Sequence, residues 1–280
     1  MITNPQTISD IVRKKYILTN LFLQKTRRCN FECKICCNGK PQDFSMDQQT
    51  EDNILGYFKG IKINSIAHVG GEPSNDLNAL DELFSALQRN ETQFYHFGIM
   101  TNGSNPSREF FDSVDRISSL AIAHPEFPYK VSMHRTKRRC HREEHERLGL
   151  DYEENSTKFD DMIAKYPHFN NIVSLSPEYA NIIVKCGNAA NPENSDYLDG
   201  LDEKIIEPIS IRQQLAFQRY PNGYLALDSI KFDARGNILP NNEGYTSTDY
   251  ITEERENLGN INTGNLTNIM IKHGELEIIH

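Results

Sequence analysis

Four of the six cysteines, Cys29, Cys33, Cys36 and Cys37, are packed into one short stretch, TRRCNFECKICCNG, directly after the apolar run YILTNLFLQK (16–25). Disulfide bridges need partners spread through a fold, so thiols this close together are kept for another purpose, and a reduced, cytoplasmic setting suits them. Thiolates are soft ligands that fit zinc or an iron-sulfur cluster. A structural zinc takes four ligands, usually as two separated pairs. Here Cys29, Cys33 and Cys36 can turn to one centre at the end of a strand, while Cys37 points elsewhere by adjacency. Three ligands leave one iron of a cubane open. The plain alternative is buried cysteine acting as a small hydrophobe, which sits poorly beside Arg27, Arg28 and Lys34.

The rest of the chain has room to enclose such a loop. With 280 residues and 38% hydrophobic content, it is near the upper size for one α/β domain. A net charge of -9 gives no broad basic surface and disfavours a nucleic-acid partner. No run reaches membrane-spanning length, and Arg13, Lys14 and Lys15 are followed by too short an apolar stretch for a secretory signal.

Short apolar runs alternate with helical spacing through the first half, which predicts repeated β/α units around a parallel sheet. Strands are expected at 16–25, 63–69, 94–100, 130–134, 171–175 and 182–185. Helices are expected from a Ser45 cap answered by Gln48, over Leu77, Leu80, Leu83, Phe84 and Leu87, over 107–120, and over FDDMIAKY (159–166). From about Asn188 the texture becomes Asn-, Pro- and Gly-rich, which divides the chain into 1–190 and 191–280. The second part carries a predicted hairpin, YLALDSIKFD and NIL, joined through Ala234, Arg235 and Gly236.

Two further segments fall at strand ends. HVGGEPSND places Gly70, Gly71, Glu72 and Pro73 after the second strand, where glycines let a backbone approach a ligand and a glutamate can accept from an ammonium. Gly-Gly before a helix also serves as simple turn punctuation. Thr101, Asn102 and Gly103 close the third strand.

Taken together, Cys29-x3-Cys33-x2-Cys36, then GGEP, then TNG, in this order, resemble the radical S-adenosylmethionine superfamily. The resemblance implies an incomplete parallel (β/α)6 barrel, a partial TIM barrel, with its site at the strands' C-terminal ends and a small C-terminal α/β extension. It implies one 4Fe-4S cluster on Cys29, Cys33 and Cys36, with S-adenosylmethionine held at the open iron. Gly70, Gly71, Glu72 and Pro73 would bind its methionyl end, Ile35 its adenine, and Thr101, Asn102 and Ser132 are further cofactor contacts. Ile35 departs from the aromatic residue frequent at that position, keeping apolar contact without stacking. Ser174 and Ser176 are eligible for the adenine-binding segment. The implied reaction, of oxidoreductase or transferase type, is reductive cleavage of S-adenosylmethionine to a 5'-deoxyadenosyl radical. That radical abstracts a hydrogen atom from a small-molecule or peptide substrate, with a flavodoxin- or ferredoxin-like protein as electron donor. Epimerisation is among the outcomes, with Cys186 as a hydrogen-atom donor.

IKFDARGNILPNNEG and LGNINTGNL resemble SPASM and twitch extensions, but Asn241 and Asn242 stand where relatives carry auxiliary-cluster cysteines, so a second cluster lacks ligands. Two other readings remain open. His141-x-x-Glu144-His145 matches a zinc-peptidase pattern, although its surroundings are charged and read as a solvated helix. The chain could also be a module that binds the cluster or S-adenosylmethionine without turnover.

Overall fold

Parallel strands covered on both faces must be apolar along most of their length, and this chain builds five of them in succession. The computed structural model describes residues 1–36, 38–124, 128–135, 139–173, 182–184, 191–199, 204–206, 215–239 and 257–279. In it β1 (Ile17–Thr26), β2 (Lys62–Gly70), β3 (Gln93–Thr101), β4 (Val131–Arg135) and β5 (Phe169–Val173) lie side by side in that order, all parallel. Leu18, Leu21 and Leu23 of β1, Ile63 and Ile66 of β2, and Phe94, Phe97 and Ile99 of β3 are wholly buried.

Crossover helices α2 (Gln48–Tyr57), α3 (Leu77–Arg89) and α4 (Arg108–Ser119) pack on this sheet, α4 through Phe110, Phe111, Val114 and Ile117. The cap of α2 is not Ser45. Asp47 accepts the Thr50 N–H at 2.7 Å, an anion at the positive end of the helix. The Ser45 hydroxyl is drawn instead to Thr26 and Asp76, at the end of β1. The short helix α1 (Pro5–Val12), capped by Asn4, was not marked by the periodicity, whereas α5 (Arg139–Arg147) is the helix expected of its charged stretch. The next helix, α6 (Tyr152–Ile163), starts before FDDMIAKY because Asp151 caps it by accepting the Glu154 N–H at 2.8 Å.

The sixth parallel strand is not the expected one. β6 (Ile182–Val184) pairs with β7 (Lys204–Ile206) in a separate two-stranded sheet. The place beside β1 goes to β9 (Leu225–Phe232), in parallel register with Leu21 opposite Ile230 and Leu23 opposite Phe232. The expected hairpin is present, β9 turning through Ala234 and Arg235 into antiparallel β10 (Asn237–Leu239). Asp233 accepts the Arg235 and Asn237 N–H groups, both at 2.9 Å, to hold that turn. Around it lie β8 (Leu215–Arg219), β11 (Gly259–Asn260) and β12 (Gly274–Ile278), so the strands within 215–239 and 257–279 extend the barrel sheet itself. Among the described residues the main path runs from β11 to β5 without closing, a mostly parallel open α/β barrel as expected.

Candidate active site

Where β1 to β4 end, their loops surround a cavity of about 200 Å³. The loop after β1 brings Cys29, Cys33 and Cys36 to it; the end of β2 brings Gly70, Gly71 and Glu72; the end of β3 brings Thr101 and Asn102. Three separate motifs thus converge on one space. A larger groove of about 380 Å³ lies on the outer face along α2 and α3. Its charges are already spoken for, Arg89 by Asp52, Asp81 by Arg116 and Glu82 by Lys25.

Gly70 and Gly71 line the cavity, yet the close approach that demands glycine is made by the chain's own backbone. Gly71 N–H donates to Thr26 O and Glu72 N–H to Arg28 O, both at 2.8 Å, stitching the end of β2 to the start of the cysteine loop. A Cβ on Gly71 would collide with the Arg28 carbonyl oxygen, and Gly70 has φ +123°.

Glu72 is buried, and burial pushes its carboxyl pKa up. One oxygen accepts from Ser74 N–H (3.1 Å), Ser74 Oγ (2.7 Å) and Thr101 Oγ1 (2.7 Å); the other accepts Asn102 N–H at 2.6 Å. A carboxylate has about four lone-pair sites, two per oxygen, so the second oxygen keeps one available. Glu72 therefore ties the ends of β2 and β3 together and retains an acceptor. Pro73 opens the 3-10 turn Pro73–Asn75, whose cap is Glu72. The Asn102 amide reaches Asn30 Oδ1 at 3.0 Å and lies 4.0 Å from Cys29 Sγ, tying the third motif to the first.

Cys29, Cys33 and Cys36 are not joined in disulfides. Burial and the Glu72 carboxylate raise the Cys29 pKa to about 11, and hydrogen bonding to Cys140 together with burial raises that of Cys33. Thiols held this high are poor nucleophiles, which argues against thiol catalysis; a metal would have to displace their protons.

Two of the expected contacts are not among the lining residues. Ile35 does not line the cavity; it is buried in an apolar cluster with Phe31, Cys33, Cys140 and Leu198. Ser132 is bonded to His96 Nε2 at 2.8 Å, whose Nδ1 meets Ser65 at 3.1 Å, a chain running across β4, β3 and β2. The residues of β4 that do reach the cavity are His134 and Arg135, one pleat further along. Arg135 is 3% exposed, bonded to Ser156 O and Asp160, yet its Nε has no partner, and neither has His134 Nδ1. The alternation of strand residues could have pointed to His134 from Ser132. Phe31 and Met100 also line the space and carried no signal in the sequence, and His141, singled out there only for the zinc-peptidase pattern, lines it too. Cys37, Ser174, Ser176, Cys186, Asn241 and Asn242 lie outside the described residues.

The zinc-peptidase set does not form. His145 is buried with Nδ1 2.7 Å from the His141 carbonyl, and Glu144 is engaged by Arg147 and by the Glu32 N–H. Nor is α5 a solvated helix, since Cys140 and His145 are buried against the cysteine loop.

Residues 23–148, which span all three motifs, match the family model of the Radical SAM superfamily. Residues 23–148 form a radical SAM domain. A search of curated proteins finds no match. Among solved structures, this chain is similar to anSMEcpe with bound AdoMet and Kp18Cys peptide, at 14% identity and a TM-score of 0.50, covering 90% of this chain and 80% of that one. It is also similar to BtrN in complex with AdoMet and 2-DOIA (14% identity, TM-score 0.45, covering 91% and 83%). A third is Streptococcus suis SuiB bound to precursor peptide SuiA (12% identity, TM-score 0.43, covering 97% and 71%). The radical SAM domain of residues 23–148 indicates an enzyme and implies an iron-sulfur cluster and S-adenosylmethionine. No helix among the described residues is long and apolar enough to cross a membrane.

Proposed function

We propose that this radical SAM chain holds one 4Fe-4S cluster on Cys29, Cys33 and Cys36, and S-adenosylmethionine between that loop and the ends of β2 to β4. The observation that carries this reading is the single cavity shared by the three cysteines, Glu72, Asn102, His134 and Arg135. The residues fit the group: three thiols outside any disulfide, one carboxylate lone pair and two orphaned nitrogens face or flank one space. When bound, the pair supplies reductive cleavage to a 5'-deoxyadenosyl radical that takes a hydrogen atom from substrate.

The chain's own contribution is binding and orientation. Glu72, with its remaining lone pair, accepts from an ammonium group, and the buried Arg135 offers its Nε–H to a carboxylate. An amino acid moiety therefore meets opposite charges on β2 and β4. Asn102 keeps the Cys29 loop in register with Glu72, and Phe31 and Met100 supply apolar wall. The substrate is a small molecule or peptide, as with the ligands named for the similar structures, and the electron donor is a flavodoxin- or ferredoxin-like protein. Cys186 remains the proposed hydrogen-atom donor.

The test is anaerobic purification, reconstitution with iron and sulfide, and assay of 5'-deoxyadenosine beside Cys33→Ala. About four irons per chain, with cleavage that the variant loses, is the expected result. An iron-loaded protein that never cleaves S-adenosylmethionine would leave only a binding module.

A further inference from the structure

Helix α5 (Arg139–Arg147) gives the cofactor cavity only the edge of His141, yet it is built against the cysteine loop. Glu144 accepts the Glu32 N–H at 2.7 Å, Arg147 donates to the Asn30 carbonyl at 2.9 Å, and the Phe31 ring lies 5.1 Å from that of His145. These contacts seat Cys140, 3% exposed, beside Cys33. As a result the donor atoms of Cys33, Cys140 and His141 all lie within 4.8 Å of one another.

Two thiols and an imidazole are a donor set suited to zinc, which takes sulfur at about 2.3 Å and nitrogen at about 2.0–2.1 Å. Ligands at those lengths on a tetrahedron stand about 3.3–3.8 Å apart. Small side-chain rotations would bring the three donors to that spacing. The position is also sheltered: Cys33 and Cys140 are buried, and Phe31 covers His141 with ring centroids 5.7 Å apart.

We propose that the cluster-free protein binds one zinc ion on Cys33, Cys140 and His141, with its fourth position open to water, and that this ion excludes the iron-sulfur cluster. Binding releases the two thiol protons and changes no oxidation state. The exclusion follows because Cys33 cannot serve both centres, and in that respect alone it rests on the proposed cluster; the zinc site itself does not. The ion takes His141 from the HxxEH motif but leaves Glu144 and His145 in their structural contacts.

The test uses the full-length protein, freed of iron and reduced, titrated with cobalt(II) as a coloured stand-in for zinc. One cobalt per chain is expected, with thiolate-to-cobalt charge-transfer bands that added zinc removes. Cys140→Ser, which preserves packing, and His141→Ala should each weaken binding by at least about tenfold. Cys29→Ala and Cys36→Ala should leave the bands in place. Bands that survive Cys140→Ser but vanish in Cys29→Ala or Cys36→Ala would put the metal on the cysteine loop alone and overturn the site, as would a titration with no bands. In a second arm, zinc-loaded protein is given iron and sulfide: uptake should fall below half that of untreated protein and recover in Cys140→Ser. Full uptake by the zinc-loaded wild type would overturn the exclusion. If untreated protein takes up no iron, the cluster reading fails while the cobalt result stands.

Discussion

At the residue scale, Gly71 and His68 show how differently two buried positions near the site are constrained. Gly71 is glycine because the Arg28 carbonyl occupies the space of a Cβ. Gly71→Ala should push the end of β2 off the cysteine loop, breaking the N–H bonds to Thr26 and Arg28. The expected outcome is reconstituted iron reduced by half or more, with the far-ultraviolet circular dichroism of the wild type; unchanged iron would show that the stitch is dispensable. His68 is 1% exposed, neither ring nitrogen has a hydrogen-bond partner, and burial with the nearby Lys25 charge lowers its pKa to about 4. The unfolded chain binds a proton there below about pH 6.5 while the folded chain does not. Its contribution to stability is therefore present above pH 6.5 and is lost as pH falls toward 4. His68→Leu should flatten the decline of Tm across that window without abolishing it, because His96 is also lowered to about 4 by burial and by His134. A slope identical to the wild type would count against this account.

At the scale of elements, α5 carries the clearest lesson about charge patterning. RRCHREEHER is almost wholly polar and reads as a helix facing water. The structure turns its few less polar residues, Cys140 and His145, inward and uses Glu144 and Arg147 to hold backbone groups of the cysteine loop. Glu144→Ala leaves the Glu32 N–H and the Arg147 guanidinium without that carboxylate, a loss of about 1 kcal/mol. We expect a lower Tm and faster hydrogen exchange at the Glu32 amide, with exchange at the β2 amides unaffected. Equal exchange at Glu32 in both proteins would mean the loop holds itself.

At the scale of the whole molecule, β9 decides how the two compositional segments depend on each other. It pairs along β1 from Ile17 to Leu23, so β1 is a central strand only when segment 215–280 is present. A fragment of residues 1–214 would expose β1 as a long apolar edge. It should aggregate or lose its cooperative thermal transition; a monodisperse fragment that unfolds cooperatively would show the barrel half to be independent. This edge also carries the cysteine loop, so damage to β9 is expected to lower iron uptake from a distance.

The parallel strands and crossover helices were legible in the chain because burial on two faces demands long apolar runs, and helical spacing marks what covers them. The motifs Cys29-x3-Cys33-x2-Cys36, GGEP and TNG were legible too, since each follows an apolar strand and is local in sequence. Partners remote along the chain were not. That β9 rather than β6 lies parallel beside the others depends on which strand fills the free side of β1. That His134 and Arg135 reach the cavity while Ser132 bonds to His96 depends on which residues of β4 fall level with the C-terminal ends of its neighbours. That Cys140 and His141 stand beside Cys33 depends on the docking of one polar helix. Local pattern determines which segments form strands and helices; side-chain packing between distant segments, which no local pattern encodes, decides which donors share a centre.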